Sequence, residues 1–295
     1  MSSANPVFLD GRWGTTDDMK VSVLDRGYLF GDGVYEVYRL YGGKAFTREL
    51  HLERLQNSLA GIELFLPYGR DEFEAILDQV EERCPPDSYV YIHVTRGIAP
   101  RRHSLPEDPR PSVMVMPVPL APIPAKLFTE GICLLSQTDE RWLRCRVKSL
   151  NLLANCLGMT AANRAGCFEA LFVGGDGLVN ESAASSFFCV VDGVLRTAPL
   201  TRNILPGVTR RILLGLVREN GIAYREEAVS LEQACGAAEA FISNSVFEIL
   251  PVVRIDERRI GEGGPGPVTA QLARLFAARV KEETGAEAGC KALFV

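Results

Sequence analysis

The stretch RWLRCRVKSLNLLANCLG, residues 141–158, decides how this chain is interpreted. Its lysine, Lys148, follows three arginines at positions 141, 144 and 146 and precedes an apolar helical pattern. A lysine that forms a Schiff base must be neutral near pH 7, and desolvation or a cationic neighbour favours the neutral amine. Lys148 is therefore a candidate Schiff-base residue, although a solvent-facing lysine near a helix start fits the same pattern.

A second candidate, Glu181, lies in GDGLVNESAASSFFCVV, residues 175–191. It follows a glycine-rich turn and precedes an apolar strand, where burying a carboxylate is costly without a cationic partner. An acid in such a place can keep the ring nitrogen of a pyridine cofactor protonated, so that the ring withdraws electrons from a bound substrate. Taken alone, a glutamate in a turn is more often solvated.

Three segments are suited to a phosphate group. ILPGVTR, residues 204–210, predicts a helix that begins after Gly207, with the amides of Val208 and Thr209 directed at an anion. Ser245 in FISNSVFE and Arg54 in HLERL add a hydroxyl and a guanidinium, which binds phosphate in a bidentate way. Each segment alone is also typical of an ordinary helix entry or surface residue.

A basic loop is a candidate substrate site. The sequence RGIAPRRHSLPEDPRP, residues 96–111, places Arg101, Arg102 and His103 after a predicted strand, and Pro100 and Pro106 stiffen it. Cationic side chains on a stiff loop are suited to binding a carboxylate. A solvated basic loop is an equally good interpretation of this segment alone.

Composition narrows the class of partner. The net charge is −5 and lysine and arginine never run beyond two residues, which argues against nucleic acid or an anionic membrane and favours a small molecule. The chain has neither a secretory signal pattern nor an apolar run of ~20 residues, so a cytoplasmic protein is expected. Its eight cysteines are scattered and its histidines number three, which predicts reduced thiols and no metal site, with Cys145 near Lys148 as the one candidate for reactivity.

Hydrophobic periodicity predicts two mixed α/β domains. Helical spacing covers residues 49–63, 70–83, 150–165, 209–220, 231–235 and 268–284, and strand-like runs cover 21–23, 34–40, 90–95, 112–117, 132–136, 170–173, 186–191 and 240–243. Four prolines within residues 116–126 predict an extended linker that enters neither a helix nor a central strand. The predicted parts are a small N-terminal domain (1–118), a linker (119–127), a large domain (128–285) and a poorly ordered tail (286–295).

In combination, the motifs resemble those of class-IV aminotransferases that use pyridoxal 5′-phosphate (PLP). They occur in that family's order, from about residue 6 to about residue 283: DRGYLFGDGVYEV (25–37), HLERL, KSLNLL (148–153), the Glu181 turn, ILPGVTR and ISNS. Three stretches are similar to the D-amino acid aminotransferase branch: GYLFGDGVYEVYRLY, TRGIAPRRH and RWLRCRVKSLNLL. The resemblance implies a two-domain fold of type IV, with the cofactor between the domains.

The resemblance also implies roles for individual residues. Lys148 would be the Schiff-base lysine and would move the proton, Glu181 would contact the pyridine nitrogen, and Leu205 would pack against the ring. The phosphate would be bound by Arg54, Val208, Thr209, Asn244 and Ser245. The substrate α-carboxylate would be bound by Tyr35, Arg101 and His103, the latter two from the partner subunit of a homodimer.

The expected reaction moves an amino group between a D-amino acid, such as D-alanine or D-glutamate, and a 2-oxo acid. Alternatives on the same scaffold are an L-branched-chain aminotransferase, weakly favoured by Arg39, and an aminodeoxychorismate lyase; a non-catalytic PLP-binding relative is a further alternative. Residues 182–187, Asn244 and Val246 depart from the family pattern. Because hydroxyls are lost there, weaker cofactor binding is expected, at roughly 1 kcal/mol per hydrogen bond.

Overall fold

A computed structural model describes residues 5–294 of the chain. Residues 1–4 of the predicted N-terminal domain and Val295 of the predicted tail lie outside the described residues. The chain forms two compact units: one comprises the residues up to Ala121 together with Val147–Asn151, the other Pro122–Arg146 and the residues from Leu152 onward. Lys148 therefore belongs to the first unit, whereas the sequence placed it in the domain 128–285.

The first unit is one antiparallel sheet with helices. Its elements are β1 (Pro6–Leu9), β2 (Arg12–Thr15), α1 (Arg26–Phe30), β3 (Gly33–Tyr41), β4 (Lys44–Ala45), α2 (Arg48–Ala60), α3 (Arg70–Glu81), β5 (Ser88–Thr95) and β6 (Ser112–Pro119). The strand order within the described residues is β2-β1-β6-β5-β3-β4. Alternate residues of β3, β5 and β6 pack against the apolar sides of α2 and α3, as period-two and helical patterns require.

The proline-rich segment differs from its prediction. Met116–Pro119 are the end of β6, a central strand, with Pro117 opposite Val90 and Pro119 opposite Ser88. The prediction that these prolines stay outside a central strand is wrong. Among residues 5–294, β1 pairs with β6 at Met114 and Val115 and not at Pro117 or Pro119, so on that side the missing proline N–H groups interrupt no described strand pair.

Two local predictions in the first unit also fail. Val21–Val23 is irregular rather than a strand, and both valines are exposed, because β-branched residues form a strand only where a partner strand exists. The helix predicted from Leu150 begins at Leu153. Leu150 N donates to Gly33 O at 3.1 Å and Ser149 forms a β-bridge with Val34, which keeps this segment extended.

The second unit contains a mixed sheet. Its elements are α4 (Lys126–Thr129), β7 (Ile132–Thr138), α5 (Leu153–Arg164), β8 (Glu169–Val173), β9 (Val179–Ser182), β10 (Ser186–Val191), β11 (Val194–Thr197), α6 (Val208–Glu219), β12 (Tyr224–Glu226), α7 (Leu231–Cys235), β13 (Glu239–Asn244), β14 (Glu248–Ile255), β15 (Arg258–Arg259), α8 (Pro267–Thr284) and a 3₁₀ turn (Gly289–Leu293). The order among the described residues is β12-β11-β10-β13-β14-β7-β8-β9, with β15 paired to β14. Both units thus mix helices and sheet, as predicted.

The tail is ordered rather than loose. Gly289 N and Cys290 N donate to the buried carboxylate of Glu248 at 2.9 and 2.6 Å, and Cys290 is fully buried. The prediction of a poorly ordered tail is wrong for the described residues 286–294. The sequence did not reveal that the partner of this turn lies on β14.

The structure differs from two predictions about the cysteines, namely that all of them are reduced and that Cys145 is reactive. Cys133 on β7 and Cys167 just before β8 form a disulfide, with 4.7 Å between their Cα atoms. Their separation of 34 residues carries no sequence pattern; the parallel pairing of β7 with β8 brings them together. Cys145 is buried and burial raises the pKa of its thiol to about 11, so it is protonated at neutral pH and the expected reactivity is wrong.

None of the helices within residues 5–294 has both the length and the hydrophobicity to cross a membrane.

Candidate active site

Lys148 is fixed by its backbone in the first unit. Tyr35 N donates to Lys148 O at 2.9 Å, and Lys148 N donates to Ser58 Oγ on α2 at 3.1 Å. The Lys148 Nζ atom lies 4.0 Å from the centre of the Tyr35 ring. The structure therefore brings together Lys148 and Tyr35, the predicted Schiff-base lysine and a predicted substrate contact.

Arg54 is held in a buried ionic cluster on α2. Its Nε and Nη2 donate to the two oxygens of Glu36 at 2.9 and 2.6 Å, and His51 Nδ1 lies 2.9 Å from Glu36 Oε1. Burial opposes ionisation of Glu36, but Arg54 and then His51 outweigh it and hold the pKa of this carboxyl well below its usual range. Glu36 thus orients the guanidinium that the sequence assigned to a phosphate, and no sequence motif identified this partner.

The pKa of His51 is lowered, because burial outweighs the attraction of Glu36. The imidazole is therefore neutral at pH 7 and leaves the positive charge of the cluster to Arg54. Strand alternation offered a signal for this cluster, since Glu36 falls on the core-facing side of β3, where a charge requires a partner.

The predicted substrate loop lies in the first unit between β5 and β6. Arg101 and His103 are exposed, and both side chains contact the ring of Phe30, at 5.4 Å for Arg101 Cζ and 5.7 Å for the imidazole. The structure thus places the two predicted carboxylate-binding side chains beside one aromatic ring.

Glu181 is buried on β9 of the second unit and has a cationic partner. Arg141 Nη1 donates to Glu181 Oε1 at 2.6 Å, and Leu205 N lies 3.2 Å from each carboxylate oxygen. Burial raises the pKa of Glu181, although Arg141 and the Leu205 amide act in the opposite direction. Arg141 is close to Lys148 in the sequence, whereas in the structure it pairs with Glu181.

Arg141 is itself anchored from the other side. Its Nε and Nη2 donate to the two oxygens of Asp139 at 2.9 and 2.8 Å, and Asn180 Nδ2 donates to Asp139 at 2.8 Å. Arg141 Cζ also lies 4.8 Å from the centre of the Phe172 ring. The acid predicted to contact the pyridine nitrogen therefore belongs to an Asp139–Arg141–Glu181 chain with little freedom to move.

The start of α6 lies beside β10, a strand of the second unit's sheet. Gly207 caps the helix with an extended backbone, and a Cβ on Gly207 would lie 2.7 Å from Ser186 Oγ. Val208 and Thr209 are buried in the first turn. Gly207 thus leaves room for the Ser186 hydroxyl beside the helix start, and the predicted phosphate-binding amides are adjacent to that hydroxyl.

The second predicted phosphate loop follows β13. Asn244 Oδ1 accepts from Val246 N and Phe247 N at 2.8 and 2.7 Å, and Asn244 Nδ2 donates to Ser185 Oγ at 2.9 Å. Ser245 is half-buried within this turn. Asn244, which departs from the family pattern, therefore fixes the loop rather than leaving it loose.

A buried hydroxyl near this loop supports a fit to phosphate. Ser243 pairs with Ser186 across β13 and β10, and its Oγ has no hydrogen-bond partner among the described residues. An unpaired buried hydroxyl is costly, and an anion between the helix start and the loop would accept its hydrogen bond. The residues of the second unit therefore fit a phosphate group.

The chain is similar to known proteins over most of its length. A family model described as amino-transferase class IV matches residues 33–255. The D-alanine aminotransferase of Listeria innocua is 40% identical over 282 residues, which is 95% of this chain and 97% of that protein. The D-alanine aminotransferase of Bacillus licheniformis is 38% identical over 279 residues, covering 94% of this chain and 98% of that protein.

Solved structures similar to this fold include branched-chain aminotransferases. The Escherichia coli enzyme has a TM-score of 0.87 at 28% identity, with 97% of each chain covered. The T.th. enzyme, solved with pyridoxamine 5′-phosphate, has a TM-score of 0.86 at 24% identity and covers 96% of this chain and 95% of its own. The chain therefore has the type-IV fold and belongs to the class-IV aminotransferases.

Proposed function

We propose that this class-IV aminotransferase transfers an amino group between a D-amino acid, such as D-alanine or D-glutamate, and a 2-oxo acid. The observation that carries the choice of substrate is the 40% identity to a D-alanine aminotransferase over 95% of the chain. The branched-chain enzymes of the same fold are less similar in sequence, at 28% and 24%. Retention of Lys148, Tyr35, Arg101 and His103 together favours an active enzyme over a non-catalytic relative.

PLP is the cofactor of this family and, when bound, supplies an aldehyde for amines and an electron-withdrawing ring. We assign Lys148 to the aldehyde, Glu181 to the pyridine nitrogen and Leu205 to the ring. Arg54, Val208, Thr209, Asn244 and Ser245 are assigned to the phosphate. The anchoring of Glu181 by Arg141 and of Arg54 by Glu36 supports these roles, because preorganised charges cost little rearrangement on binding.

Lys148 is proposed to remove the proton from the substrate α-carbon and to return it at the cofactor carbon. Its backbone bonds to Tyr35 and Ser58 leave only the flexible side chain to move. The Tyr35 ring at 4.0 Å attracts the protonated amine while the proton is held on Nζ. Proton transfer between the substrate α-carbon and the cofactor carbon requires an amine that is held in place and can reach both.

We propose that the protein is a homodimer. Arg101 and His103 of each subunit would bind the α-carboxylate of the substrate in the partner subunit's active site. An apolar patch formed by Val21, Val23, Leu24, Tyr28 and Ile98 is exposed in the first unit. The bonds Arg26 N to Gly97 O and Ala99 N to Leu24 O bring its two segments together. A contiguous apolar patch that runs into the substrate loop favours a second copy of this chain as the partner that covers it.

The cytoplasmic location stays a prediction.

Replacement of Lys148 tests the assignment directly. The K148A variant should lose both the visible absorbance of bound PLP and all turnover, because no other described residue is assigned to the aldehyde. The control K126A removes an exposed lysine and should keep both. Persistent turnover in K148A would show that the mechanism is wrong.

A panel of amino donors separates the alternatives in the same assay. The spectral change of the holoenzyme should be rapid with D-alanine and D-glutamate and slow or absent with L-alanine, L-leucine and aminodeoxychorismate. A faster change with L-leucine would favour the branched-chain alternative. No change with any amine, from a protein that holds PLP, would favour the non-catalytic alternative.

A further inference from the structure

The guanidinium of Arg26 contacts the backbone of the substrate loop. Arg26 lies in α1 and is 3% exposed. Its Nη1 donates to Arg102 O at 2.7 Å and lies 3.4 Å from Ser104 O. These two carbonyls flank His103, so one buried cation fixes the backbone on both sides of that residue.

Arg26 is anchored within the first unit by a shared carboxylate. Its Nε donates to Asp32 Oδ2 at 2.7 Å, and Arg96 Nε lies 3.0 and 2.9 Å from the two oxygens of the same carboxylate. Arg96 in turn donates to the carbonyls of Glu63 and Ile62 at 2.9 and 2.6 Å. Charge-assisted bonds therefore connect the loop to the turn that follows α2, so Arg26 is held in place from the side opposite the loop.

Phe30, at the end of the same helix, packs against both side chains of the loop. Arg101 Cζ lies 5.4 Å from the ring centre and the His103 ring lies 5.7 Å away at an angle of 57°. Arg26 Cζ lies 4.9 Å from the same ring. Arg101 and His103 are otherwise exposed to solvent, so contact with the Phe30 ring restricts the conformations of both side chains.

We propose that Arg26 and Phe30 are positioning residues for the substrate α-carboxylate. Arg26 sets the path of the backbone at His103, and Phe30 sets the separation of the imidazole and the Arg101 guanidinium. Two donors bind one carboxylate well only when both reach its oxygens at once, so small displacements weaken binding strongly. The inference rests on the proposed function, which assigns Arg101 and His103 to that carboxylate.

The test uses the holoenzymes of R26K and F30L. Lysine keeps the positive charge beside Asp32 but lacks the fork that also reaches the loop, and leucine keeps an apolar contact but not a flat ring. In the half-reaction with D-alanine, the apparent dissociation constant should rise about tenfold while the limiting rate stays within about twofold. The KM for pyruvate should rise by a similar factor, since its carboxylate occupies the same place.

Two controls are matched to these changes. R83K alters an exposed arginine that lies 4.2 Å from the Trp13 ring, and F65L alters a phenylalanine that is 53% exposed. Both should bind D-alanine as the wild type does. The unfolding midpoint and the visible absorbance of bound PLP are recorded for every variant, because a purely structural role would change these and the limiting rate together.

Unchanged affinity for D-alanine in R26K and F30L would overturn the inference. So would a loss of affinity for D-alanine that is accompanied by a lower unfolding midpoint, weaker visible absorbance of bound PLP and a lower limiting rate. A wild-type holoenzyme that does not react with D-alanine would overturn the proposed function first, and the inference with it. The behaviour of the wild type therefore distinguishes the two failures.

Discussion

Glu169 is a buried carboxyl whose charge depends on pH in the neutral range. It is 1% exposed at the start of β8 and accepts hydrogen bonds from Ala184 N and, at 2.9 Å, from Ser185 Oγ. Burial raises its pKa to about 7, although these hydrogen bonds act in the opposite direction. Through Ser185 it is linked to Asn244, so the carboxyl supports both the turn after Glu181 and the predicted phosphate loop.

The pKa of Glu169 makes stability depend on pH. Its pKa in the folded state lies above the ordinary glutamate value of 4.5, so the folded protein binds more protons than the unfolded chain between those values. The stabilisation is present in full below pH 4.5 and is lost as pH rises through about 7. The variant E169Q resembles the protonated carboxyl and lacks this dependence.

Urea unfolding at about pH 5 and about pH 8 measures the effect. Relative to E169Q, the wild type should lose free energy of unfolding as the pH rises between these values. The control E262Q alters an exposed glutamate and should follow the wild type. Parallel curves for the wild type and E169Q would contradict the prediction.

Glu181 and Arg141 show what the sequence can specify at the level of residues. The apolar run after Glu181 indicated that a buried carboxylate needs a cation, and the structure has one. The sequence did not identify the cation, because Arg141 lies 40 residues earlier and meets Glu181 only after folding. Motif resemblance supplied the candidate site residues, which stay a prediction, whereas the partners Arg141, Glu36 and Arg26 come from tertiary structure.

Elements with strong periodicity were predicted well. α2, α3, α6 and α8 end within three residues of the predicted bounds, because three or more turns of an apolar stripe specify a helix locally. The strand expected at Val21–Val23 and the linker expected at Pro117 and Pro119 failed. Both depend on whether another strand lies alongside, which local sequence does not determine.

The disulfide between β7 and the segment before β8 gives a prediction for these elements. The chain has eight cysteines, of which six are free. Thiol titration of the denatured, unreduced protein should therefore find six thiols per chain and, after reduction, all eight.

The double variant C133S/C167S should give six thiols under both conditions. It should also lose about 4 kcal/mol of unfolding free energy, because the closed loop no longer restricts the unfolded chain. Eight thiols in the unreduced wild type would contradict the bond. The thiol titrations therefore test whether the bond is present, and urea unfolding of the wild type and the double variant measures its effect on stability.

At the scale of the whole molecule, the proposed homodimer has one consequence that a monomer cannot reproduce. If Arg101 and His103 serve the partner's site, then each complete site needs Lys148 from one chain and the loop from the other. Ile98 of the exposed apolar patch lies in this loop shortly before Arg101, which supports such an exchange. Two inactive chains with different defects should then restore each other.

The chains to mix are K148A and the double variant R101M/H103A. In a mixed dimer, one site combines Lys148 of the double variant with the intact loop of K148A, and the other site carries both defects. Random exchange of subunits at equal concentrations makes half of the dimers mixed, so about a quarter of the wild-type activity should return. Each variant alone should stay inactive, and a mixture that regains nothing while subunits demonstrably exchange would mean that the loop acts within its own chain. Because D-alanine would then be bound without the partner, that outcome would remove the functional reason for the dimer and leave the apolar patch to be explained by other means.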